Sequence, residues 1–281
     1  MTSLLVELQT EELPPKALKK LSEAFAQNLT KSLASQHFLA DDSTTTVYGS
    51  PRRLAALVTN VLAKSPDEAF KQKLVPVKVG LDAEGNATPA LIKKMKALGI
   101  EAEVSALKRV NDGKNEQLFY EGIRPGVALA QGLQTALEAA AFNLPIPKVM
   151  HYQLADGQTT VSFVRPAKHL VALYGTEVVP VSLLGLTAGH RFHTQDLIAI
   201  RSAEGYEEQM MTEAKVMPSF AKRREKIVHD VTEGARAIGG EAIMPEDLID
   251  EVTALTEWPV IYQSSFEEEF LKVPQECLIL T

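Results

Sequence analysis

Apolar residues recur at Leu18, Leu21, Phe25, Leu29 and Leu33, the spacing of one face of an amphipathic helix. Pro14 and Pro15 stand at its start, where a first-turn N–H has no partner and proline is well tolerated. Before this helix, Leu4 to Gln9 alternates weakly and predicts a strand. After it, Thr44 to Tyr48 is β-rich and breaks at Gly49-Ser50-Pro51. The run "RRLAALVTNVL" predicts a further strand, closing a β-α-β-β unit over residues 1–65.

Residues 66–126 have a different texture. A turn at Glu84-Gly85-Asn86 precedes a compact helix with Thr88 as N-cap, Pro89 in first position and Gly99 just past its end. This stretch predicts a small inserted α/β subdomain with two or three strands, ending near "EQLFYEGI". A helix is expected over Val127 to Phe142, with Leu129, Leu133, Leu137 and Ala140 on one face. The rest of 127–205 reads as β-rich, through "QTTVSFV", "KHLVALYG", "TEVVPVSLLGL" and "DLIAI". Residues 206–281 turn helical, with Pro218 to Ile238 closed by Gly239-Gly240 and Pro245 to Trp258 stopped by Pro259. The fold class expected is α+β: a β-rich body in the first ~200 residues with a small inserted subdomain, followed by a helical segment.

With 281 residues, 45% of them hydrophobic, the chain can hold two domains or one with an insertion. Its formal charge of −7 argues against a general nucleic-acid coat protein, because non-specific affinity comes from phosphate neutralisation. A local basic patch stays open. Cys277 is the single cysteine, so an intrachain disulfide and a cysteine-based zinc cluster are excluded, which fits a reducing cytosol. It lies on an apolar run and reads as a core residue. No basic n-region with an apolar h-region opens the chain, and no apolar stretch approaches the roughly 20 residues of a membrane span, so a cytoplasmic protein without membrane contact is expected. The closing "EEEFLKVPQECLILT" is apolar with no polar tail, which predicts the N-terminal piece of a longer protein.

Phosphate-loop, dinucleotide, nucleophile-elbow and H-E-x-x-H signatures are all missing. The most chemically loaded stretch is Thr187-Ala-Gly-His-Arg-Phe-His-Thr194. One reading is a phosphate- or RNA-contacting turn, with Gly189 allowing a tight backbone and Arg191 offering a planar donor fork. Another is a metal site on His190, His193 and Asp196, as in a free-standing metal-dependent hydrolase; in a strand, however, a spacing of three puts the imidazoles on opposite faces. The third is a structural corner whose polar side chains bridge two elements. Arg52 and Arg53 follow a proline turn and must face opposite sides of a strand, so one at most joins any single surface. The helix stretch "AKRREKIVH" reads as an exposed face laced with ion pairs. Glu11 and Glu12 read as favourable charges near the positive end of a helix macrodipole. Trp258 reads as an anchor for a helix C-terminus.

Several stretches together resemble the β subunit of the bacterial heterotetrameric glycyl-tRNA synthetase: "LLVELQTEELPPKAL", "SPRRLAALV", "DAEGNATPA", "FVRPAKHLVALYG", "GHRFH", "DEVTALTEWPV" and "SFEEEFLKVPQE", in that family's order and across nearly the whole chain. Where the family pattern is PKxMRW, this chain has Pro147-Lys-Val-Met-His-Tyr152, losing a permanently charged fork. The resemblance implies a subunit of a class II aminoacyl-tRNA synthetase whose α subunit holds ATP, magnesium and glycine. The chain itself would bind no cofactor and carry no catalytic residue, and its partners would be that α subunit and tRNA(Gly). HD-like and anticodon-binding regions would follow residue 281. RNA- or partner-binding candidates are then Arg52, Arg53, Lys148, Arg165, His190, Arg191 and His193, with a purely structural scaffold as the rival role.

Overall fold

The computed structural model describes residues 2–111, 115–193, 197–274 and 276–277. Its elements, in chain order, are β1 (Thr2–Thr10), α1 (Pro15–Ser35), β2 (Thr45–Ser50), β3 (Arg53–Val61), β4 (Glu68–Pro76), the single turn α2 (Val77–Gly80), α3 (Pro89–Ala97), β5 (Leu107–Asn111), β6 (Glu116–Arg124), α4 (Leu129–Phe142), β7 (Met150–Gln153), β8 (Thr160–Phe163), β9 (Ala167–Tyr174), β10 (Glu177–Val178), β11 (Ser182–Leu183), β12 (Leu186–Thr187), β13 (Arg191–His193), β14 (Leu197–Ala199), α5 (Tyr206–Thr212), α6 (Phe220–Ala237) and α7 (Glu246–Leu255). This is a mixed α+β chain. Its contacts divide into two compact units, Lys64–Leu129 and the remainder.

The larger unit is organised by an antiparallel sheet of order β10-β9-β1-β3-β2. Central β1 is buried on both faces from Ser3 to Thr10. That double burial is why its sequence alternates only weakly: a two-sided strand has no solvent face to mark with polar residues. One face meets α1. There Gly49 of β2 passes so close that a Cβ would lie 2.0 Å from Ser22 Oγ, so only glycine fits. Leu18, Leu21, Phe25, Leu29 and Leu33 of α1 are buried as the periodicity requires. On the other face Leu5, Tyr48, Ala55, Val171 and Leu173 pack with Ile200, Ala203, Tyr206, Met210 and Val216. Tyr206, Met210 and Val216, from the helical stretch, thus pack on the sheet in one compact unit. The two long helices are each shorter than expected, ending at Ala237 and Leu255.

The smaller unit is a three-stranded antiparallel sheet of order β4-β6-β5. Leu74, Leu81, Leu91, Met95, Ile100 and Leu118 form its core. Thr88 caps α3 by accepting a hydrogen bond from the Leu91 amide at 3.4 Å, and Gly99 past its end takes a left-handed φ of 64°, as its side-chain-free backbone allows. The unit closes its own ends. Ser65 N donates to Val127 O at 3.0 Å, the Ser65 hydroxyl accepts from Val127 N at 2.9 Å, and Lys64 bridges Ala128.

Candidate functional site

Residues 187–193 run beside β9. Gly189 forms a parallel bridge with Val171: its amide donates to Leu170 O at 3.0 Å, and Ala172 N donates to its carbonyl at 3.3 Å. Its φ is not left-handed, so the tight turn expected there is absent. The left-handed residues are Leu184 and Gly185, at the tip of the β11–β12 hairpin, as a two-residue hairpin turn demands. His190 is partly buried, and its carbonyl accepts from Ile200 N at 2.7 Å. Arg191 opens β13 opposite Ala199 and is exposed. With Lys168, His169, Thr187 and His190 it lines a groove of about 250 Å³. Two permanent cations and two imidazoles thus share one small depression, a donor set suited to an anion such as phosphate.

The neighbouring end of the sheet is basic as well. The loop leaving β1 is stitched to both flanking segments, through Thr10 N to Arg52 O (2.9 Å), Glu11 N to Pro166 O (2.9 Å) and Leu13 N to Pro51 O (2.7 Å). Its carboxylates reach across to those segments: Lys168 pairs with Glu11 at 2.6 Å and Arg52 with Glu12 at 2.7 Å. Glu11 and Glu12 lie outside the first turn of α1, so these ion pairs, rather than the helix dipole, account for them. Both pairs are half-exposed, worth at most about 1 kcal/mol each, and an incoming anion can replace either carboxylate. Arg165 instead donates to the backbone, from Nε to Glu12 O and from Nη1 to Val164 O, both at 2.9 Å. Lys148 is exposed just ahead of β7.

Arg53 is a correction. Its side chain is 1% exposed, and Nη1 donates to Glu257 Oε1 at 2.6 Å while Nε lies 3.7 Å from Glu7 Oε1. No outside partner reaches it. Arg52 stays exposed in the turn between β2 and β3, not on the strand expected to hold both arginines. Cys277, expected in the core, is exposed. Trp258 stays 38% exposed, with Lys215 Nζ 5.7 Å from its ring centre. The side chain of His193 and all of Asp196 lie outside the described residues, and with them the metal arrangement on His190, His193 and Asp196. Among the described residues, no three His, Cys, Asp or Glu side chains are grouped to hold a metal.

No local pattern announces the buried polar network around Glu7. Glu7 sits mid-β1 with no exposure. The Tyr206 hydroxyl donates to its Oε2, and Arg53, paired opposite Gln9, is its diagonal neighbour. Burial raises the Glu7 carboxyl above its ordinary range, opposed by the Arg53 charge and the Tyr206 hydrogen bond. The Tyr206 phenol is raised by burial and then by the Glu7 charge. Ser50 donates to the Glu257 oxygen that Arg53 holds, at 3.1 Å. A second hub is Arg223, fully buried in the run expected to be an exposed charged face. It donates to Thr253 O, Met217 O and Gly49 O at 2.9, 2.5 and 2.9 Å, and burial draws it down to about 10. The pair at helical spacing foreseen there is Lys226 with Asp230, while Arg224 pairs across to α7, with Glu246 and Asp250. No local signal separates these buried charges from surface ones. Their partners are some 200 positions away in sequence for Glu7 and 30 or more for two of the three acceptors of Arg223.

The whole stretch from residue 4 to 281 matches the family of the glycyl-tRNA synthetase beta subunit, and the chain belongs to that family. Among its relatives, the glycine–tRNA ligase beta subunit of Dechloromonas aromatica (strain RCB) is 52% identical, over 99% of this chain and 42% of that protein. The same subunit of Acidovorax sp. (strain JS42) is 54% identical over 99% of this chain and 40% of its own length, and that of Janthinobacterium sp. (strain Marseille) is 53% identical over 99% and 41%. The chain thus spans about two fifths of the curated relatives it matches. No helix among the described residues is long and apolar enough to cross a membrane.

Proposed function

We propose that the chain works within a glycine–tRNA ligase as a part that positions tRNA(Gly) and joins the β subunit to the α subunit. Adenylation of glycine, with ATP and magnesium, then takes place on the α subunit. Family membership supports the reading, and one observation carries the RNA contact. Arg191 is exposed beside Lys168 in the groove along β9, next to Arg52 and Lys168 cations that are held only by exchangeable surface carboxylates. A phosphate seated there fixes the orientation of the RNA without reading its sequence. Holding two reactants in register contributes several kcal/mol to a bimolecular step with no catalytic side chain on this chain.

The test is Arg191→Ala in the assembled α and β enzyme. A hydrogen bond to a charged group contributes about 1.5–3 kcal/mol, and at a half-exposed groove the lower end applies. Charging should lose about tenfold in kcat/KM for tRNA, while glycine-dependent ATP–pyrophosphate exchange stays unchanged. Unaltered charging would return the stretch to a structural corner and favour a scaffold that contacts only the α subunit.

A further inference from the structure

The open face of the smaller unit's sheet has the composition of a binding surface. Leu118 of β6 points into the core, on the side covered by α2 and α3. Strand alternation therefore turns Phe119 to the other side. Directly opposite Phe119 stand Lys73 on β4 and Lys108 on β5, so one row across the sheet reads lysine, aromatic, lysine. The next row sets Lys71 against Glu121. Lys71 Nζ lies 4.9 Å from the centre of the Phe119 ring and 3.1 Å from Glu121 Oε1, and Lys108 Nζ is 2.5 Å from the other oxygen of Glu121. Beyond them Ile123 is 70% exposed, on the wall of a groove of about 350 Å³ shared with Phe70 and Gly122. Phe119 is only partly buried, and the core is complete without it. The charge balance is local: residues 64–129 hold 11 Lys and Arg against 9 Asp and Glu, whereas the whole chain holds 29 against 36.

An aromatic ring on the central strand, flanked by lysines at its own register, matches what unpaired nucleic acid needs. A base presents a π-face that stacks on any aromatic whatever its identity, and adjacent phosphates seek cations on both sides. A paired helix cannot offer its base faces. An apolar peptide would gain nothing from three lysines around one ring. We propose that this face is a second RNA site, separate from the groove at Arg191, which takes an unpaired segment: a base stacks on Phe119 while flanking phosphates meet Lys71 and Lys108, displacing Glu121 from both lysines.

Fluorescence anisotropy of the 281-residue chain with a labelled single-stranded oligoribonucleotide of about ten nucleotides tests it, against a hairpin duplex of the same composition. The wild type should prefer the single strand. Phe119→Leu keeps the apolar bulk and removes the π-face, and should weaken binding about tenfold, whereas Phe119→Trp retains it. Replacing Lys71 and Lys108 by Ala should lower the slope of log K against log salt by about 0.7 per lost phosphate contact. Glu121→Gln should tighten binding by freeing both lysines. Phe119, Lys71, Lys108 and Glu121 all lie outside the groove at Arg191, so the two RNA contacts stand or fall separately. Circular dichroism confirms that each variant is folded. No binding by the wild type, equal affinity for the duplex, or equal affinities of wild type and Phe119→Leu overturns the proposal.

Discussion

Replacing Arg53 with methionine isolates the buried network. The substitution keeps most of the side-chain volume and removes the cation that faces Glu7, which has no solvent contact. Breaking a buried ion pair from one side costs roughly 3–5 kcal/mol, because the remaining charge has nothing to compensate it. Glu257 suffers less, since its side chain is 23% exposed and Ser50 still donates to it. The loss should depend on pH. Burial already raises the Glu7 carboxyl, and without Arg53 it rises further. A group whose folded pKa is raised stabilises fully below its unfolded value and loses that contribution as pH climbs through the folded value. At about pH 4, near the unfolded carboxylate value, Glu7 of the variant is protonated and the charge is gone. At pH 7 the penalty is larger, because the buried carboxyl must either ionise without its cation or hold a proton that the unfolded chain has given up. Thermal melts of the 281-residue chain should then show the variant lower by about 6–20 °C at pH 7, taking 2–4 °C per kcal/mol, and by less than half as much near pH 4. Adding Glu7→Gln, whose amide oxygen can still accept from Tyr206, should recover most of the loss at neutral pH. An equal deficit at both pH values, or no recovery in the double variant, would show that Glu7 is not the source of the penalty.

Two further substitutions probe packing and capping. Gly49→Ala drives a methyl onto Ser22, 2.0 Å from its Oγ and 2.7 Å from its Cβ, and should cost about 1–3 kcal/mol in denaturant melts, with Ser22→Gly in the same chain recovering part of it. Thr88→Ala removes the cap of α3 and should cost about 0.5–2 kcal/mol, seen as faster amide exchange in α3 while α1 keeps its protection.

What could be read from the chain beforehand follows from how local each cause is. Helix α1 announces itself because five large apolar residues of its buried face recur within a single element, and Thr88 and Gly99 mark α3 because a cap acts within three residues. β1 was visible as a strand, although the second face that buries it is built from residues near 200. Charge misled wherever its partner was distant. Arg53 and Arg223 look like surface residues in composition, yet Arg53 faces the carboxylates of Glu7 and Glu257, and Arg223 donates to Gly49, Met217 and Thr253. Gly189 shows the converse: a glycine beside two histidines suggested a turn, and the ladder to Val171 holds it extended. In the candidate site, adjacency in sequence identified Arg191. The company it keeps with Lys168 and, one loop away, Arg52 depends on three segments meeting at one end of the sheet.

The hydrogen bonds joining Ser65 to Val127 and the bridge from Lys64 to Ala128 bear on how such a chain came about. A segment whose first and last residues pair with each other takes up, between β3 and α4, no more of the chain's path than a short turn. Closing a longer loop costs only about 0.6 kcal/mol for each doubling of length, and here the ends are already tied by the segment's own contacts. The stretch between them can be acquired, exchanged or discarded as one piece without redrawing the register of β3 or the face of α4. In ancestry, the strip of lysines around Phe119 need not share the history of the sheet that holds Arg191.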